Sequence, residues 1–305
     1  MLPIYYGGER RMRRKYLSNF NSPTPREVPL SVRLWVLFGG FYNQFGWLFF
    51  GFGMIFVWSF AVHTDIASIV LFRLQTRTTV GIVKSVQSKN ATENNLPIYE
   101  VKYVYFDTLG KQHNGVSYST GEPRVETRVT VEYVNDFPSI SRVEGMRREM
   151  FSPWAVFSIL FPLIGLGFLY VGIKHGVKAD RLLSEGKIAF GKLISTERTA
   201  TRINNRPVLK LTFNFRAEDG LDYDVTAKTH EPEDLRDELE EPLLYNPNAP
   251  FTTVLLDNLP GSTEFDSSGR LVPASIKDTV KVLILPVLTM LGHGIYLLLI
   301  LFGPL

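Results

Sequence analysis

The sequence predicts an α+β membrane protein in which about three transmembrane helices alternate with two small antiparallel β-domains. Three observations carry that prediction. There are three long uncharged apolar runs, two stretches of strict polar/apolar alternation between them, and a self-similarity at a shift of about 110 residues. Taken in order, the chain divides into a basic arm (1–33), an interfacial plus transmembrane helix (34–63), a first β-domain (64–151), a second span (152–173), a second β-domain (174–278) and a third span (279–305).

The composition agrees with segregated apolar segments. Of 305 residues, 45% are hydrophobic and 13% aromatic, yet mean hydropathy is only +0.03. Residues 34–62 carry no charged side chain, and neither do 152–173 or 282–305 apart from His293. About 20 apolar residues rising 1.5 Å each cross a ~30 Å hydrocarbon core, so each run is long enough for one crossing. The first is longer than it need be. It either tilts or starts as an interfacial helix that turns inward near Gly46, with Trp35 and Trp47 as headgroup anchors; the second reading is preferred, with the span near 45–63.

Basic residues flanking spans stay on the cytoplasmic side. Arg10, Arg11, Arg13, Arg14 and Lys15 with Arg26 and Arg33 precede the first span, and Lys174, Lys178, Arg181 and Lys187 follow the second. The expected orientation has a cytoplasmic amino terminus, residues 63–151 outside and 174–278 inside. A re-entrant second segment broken at Pro162 is the alternative, and it puts both β-domains on one side.

The shift of 110 aligns Gly81-Ile82-Val83-Lys84-Ser85 with Gly191-Lys192-Leu193-Ile194-Ser195, Pro97 with Pro207 and Gly110 with Gly220. Tyr99, Val101, Tyr103 and Tyr105 alternate with more polar neighbours, as do Leu209, Leu211, Phe213 and Phe215. Period two predicts half-buried strands. Asp107 to Gly110 and Ala217 to Gly220 read as hairpin turns leading into strands at 113–118 and 223–228. A two-residue adjustment then matches Tyr133 to Pro138 with Tyr245 to Pro250, ahead of short last strands at 140–143 and 252–256. Each copy opens its first strand at the glycine and folds as a small sheet or partly closed barrel.

These features resemble the mostly bacterial membrane-protein family of domain-of-unknown-function number 3592, in two tandem copies. The residues that carry the resemblance are Arg181-Leu182-Leu183, Gly186, Gly191, Asp219-Gly220 and Tyr245-Asn246-Pro247 with Pro250. In the first copy Arg77, Gly81, Gly110, Tyr133 and Pro138 keep part of it, and Asn135 stands where Pro247 stands. The resemblance implies β-domains flanked by transmembrane helices in a bacterial inner membrane. It implies no activity.

Composition and motifs exclude several chemistries. No cysteine is present, so disulfides, thiolate metal sites and cysteine nucleophiles are out. The formal charge of +3 is too small to argue for nucleic acid as a partner. The five histidines show no helical i,i+3 or i,i+4 pairing, and no phosphate loop, nucleophile elbow or His-Glu-x-x-His is found. No cofactor is expected.

The remaining candidates are binding features. Arg10, Arg11, Arg13, Arg14 and Lys15 can attract anionic lipid headgroups, each gaining about 1 kcal/mol near such a leaflet. The acidic stretch 231–241 reads as a short amphipathic helix, with Glu233, Asp237, Glu240 and Glu241 as a surface for a basic protein partner. Asn43, Gln44 and His293 are polar groups at membrane depth, suited to hydrogen bonds between helices. The expected function is a non-enzymatic membrane scaffold or accessory protein that presents two β interaction domains and can oligomerise. A small subunit of a transporter or channel assembly and a membrane enzyme of unknown type are the alternatives.

Overall fold

The computed structural model describes residues 24–72, 75–203, 205–229, 240–259, 263, 265–266 and 270–302. The helices are α1 (Leu30–Phe38), α2 (Gly40–Ser59), α3 (Ile66–Leu71), α4 (Leu160–Glu185) and α5 (Ile276–Phe302). The first five strands are β1 (Thr76–Glu93), β2 (Leu96–Phe106), β3 (Gln112–Ser119), β4 (Arg128–Val134) and β5 (Phe137–Val143). The next five are β6 (Lys187–Ile203), β7 (Arg206–Arg216), β8 (Asp222–Thr229), β9 (Glu241–Asn246) and β10 (Ala249–Leu255). The chain forms two compact units, Met1–Leu48 with Gly165–Leu305, and Phe49–Ile164.

Among the described residues, three segments are long and apolar enough to cross a membrane: Gly40–His63, Pro153–Glu185 and Ile276–Phe302. The first differs in its entry from the expectation. The helix breaks at Gly39 and Gly40 rather than at Gly46, because Gly40 takes a φ of +77°, which a side chain would resist, while Gly46 stays inside α2. The second runs further than the apolar stretch. Its helix continues through Lys174 to Glu185, beyond residue 173, so residues 174–185 belong to α4 rather than to the second β-domain. Pro162 lies in the first turn of α4, where its missing N–H costs nothing, and α4 is unbroken after it.

In the unit that holds α1, the buried Val32 and Val36 pack with Ala179, Leu182 and Leu183 of α4 and Leu244 of β9. That packing explains why the polar end of α4 stays helical. Arg26 ties the chain entering α1 to the end of α4. Its guanidinium donates to the carbonyls of Leu183 (3.2 Å) and Gly186 (2.7 Å), which a helix C-terminus leaves without partners. A residue read from sequence as part of a topogenic cluster is thus a buried helix cap.

Each β-domain is one five-stranded antiparallel sheet, in the orders β3-β2-β1-β4-β5 and β8-β7-β6-β9-β10. A long first strand is central in both. Its start pairs with the fourth strand of its sheet, and its remainder pairs with the second. The strands begin at Thr76 and Lys187, ahead of the glycines expected to open them. Register is interrupted at Lys84 and at Ile194, and again between Ser88 and Thr92 and between Arg198 and Arg202. Bulges bend a strand and raise its twist, and here they roll the sheet until its edge strands approach each other. The connectivity is that of a five-stranded, partly open Greek-key barrel of the oligonucleotide/oligosaccharide-binding type. Such a fold is shared by unrelated functions and assigns none.

Burial follows the alternation. Tyr103 pairs with Val83 and Phe213 with Leu193, and both aromatic rings are about 1% exposed. Gly110 and Gly220 turn the β2–β3 and β7–β8 hairpins at φ of +78° and +79°. β9 is buried along Glu241–Tyr245: Leu243 and Tyr245 face the barrel interior, while Leu244 faces α1 and α4.

Pro286 lies inside α5, and its absent N–H leaves the carbonyl of Val282 without its helical donor. The Nε2 of Gln44 donates to that carbonyl at 2.9 Å, and to the carbonyl of Phe38 at 2.8 Å. This predicts a coupled pair. In full-length protein in detergent, Gln44→Leu should cost about 0.6–1.7 kcal/mol, the range for such bonds. In a Pro286→Ala background, where the helix supplies its own donor, the same change should cost markedly less; an equal cost in both would break the link.

Candidate ligand cavity at the seam of the first barrel

The first barrel closes along the seam between β3 and β5. Tyr118 and Arg147 exchange backbone hydrogen bonds of 2.7 and 3.0 Å, and the amide of Val143 donates to the buried Ser117 Oγ at 2.9 Å. The Tyr105 hydroxyl donates to the Pro138 carbonyl. Tyr103 and Ser141 share a hydrogen bond of 2.9 Å. Space for the Tyr103 ring comes from the strand opposite. A Cβ on Gly115, its cross-strand partner, would lie 2.2 Å from the ring.

Beside this seam is a polar cavity of about 430 Å³. β2 contributes Glu100 and Lys102, β3 contributes Asn114 and Tyr118, β5 contributes Ser139 and Ser141, and the segment after β5 contributes Arg148 and Glu149. Glu100 is 8% exposed and well paired, with Lys89 at 2.7 Å, Lys102 at 3.6 Å and the Tyr118 hydroxyl donating to it at 3.2 Å. Burial works to raise its pKa, but the two ammonium groups and the phenol hold it below the usual carboxylate range. Tyr118 moves the other way, pushed up to about 12 by burial and then by the Glu100 carboxylate it faces.

Arg148 is held by its backbone. Its amide donates at 2.9 Å to Asp65, a buried carboxylate that also caps α3 through the amide of Ser68 at 3.0 Å. Burial raises the pKa of Glu149. Among the described residues, neither the Arg148 guanidinium nor the Glu149 carboxylate makes a hydrogen bond or a close ion pair, although the Arg148 charge acts on Glu149 and works against the effect of burial. The arrangement can therefore bind charged or polar groups of both kinds.

The second barrel has a different interior. The residues 110 positions after Tyr103, Tyr105, Gly115 and Ser117 are Phe213, Phe215, Val225 and Ala227, all buried in its apolar core. Of the four first-barrel residues only Gly115 lines the cavity, and the positions 110 after the lining residues Glu100, Lys102, Asn114 and Tyr118 are Lys210, Thr212, Asp224 and Lys228, which are polar too. The two barrels therefore differ in the core beside the cavity.

The expected site residues have other places. Glu241 is the first residue of β9, 1% exposed and opposite Gly191, so it is no part of an exposed acidic helix face; the burial of β9 on both sides explains the difference. Glu240 is partly buried just before it. Glu233 and Asp237 lie outside the described residues, as do Arg10, Arg11, Arg13, Arg14 and Lys15. Asn43 is 2% exposed and donates to the Gly39 carbonyl at 3.1 Å, with its Oδ1 against Gly172 of α4. Gln44 bridges to α5 as described. His293 lies on α5 and is partly exposed. His113, which sequence spacing left unassigned, is bonded to Asp107 at 2.8 Å in the β2–β3 hairpin. Among the described residues there is no group of three or more His, Asp or Glu side chains placed to hold a metal.

No known family model matches the chain, and no curated protein matches it. Among solved structures, a Replication Protein A heterotrimer bound to single-stranded DNA aligns over 71% of this chain and 53% of that one, with 8% identity. Its TM-score of 0.17 is too low to carry an argument about fold or function.

Two predictions test the seam. The Tyr133 hydroxyl is buried with no hydrogen-bond partner among the described residues, whereas that of Tyr103 is bonded to Ser141. Tyr133→Phe should therefore leave thermal stability unchanged or raise it, while Tyr103→Phe should lower it by about 0.5–1.5 kcal/mol. The second concerns pH. Above about pH 10, where an ordinary phenol ionises, the unfolded chain releases the Tyr118 proton that the folded chain keeps until about pH 12. Between those limits the folded state binds more protons, so stability must fall as pH rises. Phenolate absorbance should show a late component, to which the raised Tyr103, Tyr105, Tyr223 and Tyr245 also contribute; Tyr118→Phe should reduce its amplitude by one tyrosine and Glu100→Gln should move that share to lower pH.

Proposed function

We propose that the chain is a non-enzymatic integral membrane protein that holds a ligand or partner, with the first barrel as the holding domain. The observation that carries the reading is the polar, half-open seam cavity, whose lining includes Arg148 and Glu149, neither of them in a hydrogen bond or a close ion pair among the described residues. Under the same reading the two β-domains are copies of one unit. Matching strand orders, and two register interruptions placed 110 residues apart, support this. Membership of the family of domain-of-unknown-function number 3592, a bacterial inner-membrane location and a cytoplasmic amino terminus go with it. The basic flanks support the orientation, and anionic headgroups are the partner of the amino-terminal arm.

A photo-reactive residue placed at Val116, on the cavity wall, tests the holding role in native membranes against the same residue at Thr226, its counterpart in the second barrel. A specific adduct from position 116 and none from 226 is expected. No adduct from 116, or equal adducts from both, would remove the basis for the assignment. Reporter fusions after Asn114 and after Asp266 test the orientation, with the first expected outside and the second in the cytoplasm.

A further inference from the structure

Two charges of the lining that make no hydrogen bond or close ion pair define the ligand more narrowly. Arg148 and Glu149 line one cavity with opposite signs, and the lining as a whole is balanced, with Lys102 and Arg148 against Glu100 and Glu149. A phosphate or polyanion would meet two carboxylates there, and a metal ion or polyamine would meet two cations. Like charges at such range are unfavourable in a half-buried setting. Glu100 is already satisfied by Lys89, Lys102 and Tyr118, which leaves one guanidinium and one carboxylate to be matched. A guanidinium pairs best with a carboxylate, through two parallel N–H···O bonds. A carboxylate pairs with an ammonium. We infer that the seam cavity binds a small zwitterion of the amino-acid class, its carboxylate on Arg148 and its ammonium on Glu149.

Three further observations support that class. The volume, about 430 Å³, is near the low end of the range of about 300–1,000 Å³ for small-molecule sites, and suits an amino acid or dipeptide. The Arg148 backbone is fixed to the buried Asp65, which limits the ordering that binding requires. Asn114 and Ser139 stand exposed on the facing strands with side chains that can donate and accept, so polar atoms beyond the two charged groups have partners. The inference deepens the holding role proposed above and rests on it.

The test uses full-length protein in lipid nanodiscs and isothermal titration with each of the twenty L-amino acids and with dialanine. Glucose and inorganic phosphate are comparison probes. At least one amino acid or dialanine should bind saturably, and its N-acetyl and its amide derivatives, each lacking one charge, should bind at least tenfold more weakly. Arg148→Gln and Glu149→Gln should each weaken binding at least tenfold with melting unchanged, while Arg216→Gln, an exposed change in the second barrel, should not. Binding insensitive to both cavity variants would place the site elsewhere and overturn the inference. Binding of glucose or phosphate in place of amino acids, lost in the Arg148 variant, would overturn the zwitterion while keeping the cavity as the holding site. Binding of none of the probes would overturn the zwitterion too, and the adduct at Val116 would then decide separately whether the cavity holds anything.

Discussion

The interruption of register at Lys84 lets one strand of eighteen residues serve as the spine of the first barrel, and the one at Ile194 does the same for the second. Up to that point the strand pairs with β4 or β9; around and beyond it the pairing passes to β2 or β7. A flat strand could not hold both partners and still bring the outer strands of the sheet together, since closure needs a local bend and added twist. Everything described at the seam depends on that bend. The Val143 amide of β5 reaches Ser117 of β3, and Tyr103 of β2 reaches Ser141 of β5, because the rolled sheet brings its outer strands together.

The fold was legible where a segment answers to one environment. Residues 152–173 and 282–302 fall, as expected, in segments long and apolar enough to cross a membrane, because a crossing demands apolar side chains over a fixed length and hydropathy reports that directly. The strands read correctly because one face of each is buried. Reading failed where the environment changes along an element. Hydropathy stops at Ile173, but α4 continues to Glu185 because its partner changes from an apolar surrounding to Val32, Val36 and Leu244. Glu241 was grouped with an acidic surface, although the strand that begins with it is covered on both sides. The Asn94 and Asn95 pair that turns β1 into β2 at positive φ was visible as turn chemistry and went unread.

The polar interior beside the cavity was illegible for a different reason. In a period-two strand Tyr103 and Phe213 give the same signal, and only the cross-strand partner shows where the hydroxyl fits. Gly115 opposite Tyr103 leaves room for a ring with a polar end, whereas Val225 opposite Phe213 fills the same place with methyl groups. Pairwise identity across strands, rather than the pattern along one, separates a polar interior from an apolar one. The same holds for Gln44, which looks like an isolated polar residue in a span until Pro286 is placed a helix away with an unpaired carbonyl one turn before it.

Burying hydroxyls in a barrel of this size is costly unless each is bonded, at about 1–3 kcal/mol for each one left without a partner. The second barrel shows how little polarity the strand order requires. The Tyr245 hydroxyl accepts a hydrogen bond from the Glu218 amide at 3.2 Å, and the residues packed around Tyr245 form an apolar cluster, with Glu241 and Thr253 as buried polar groups on the neighbouring strands. The first barrel retains Tyr103, Tyr105, Tyr133, Ser117 and Ser141 inside, one of them with its hydroxyl unmatched among the described residues. Two barrels with one connectivity thus carry different fillings. The second packs Leu244 of β9 against α1 and α4; the first keeps a polar interior beside the cavity lined by Arg148 and Glu149, and the burial of its hydroxyls is offset only where each is bonded.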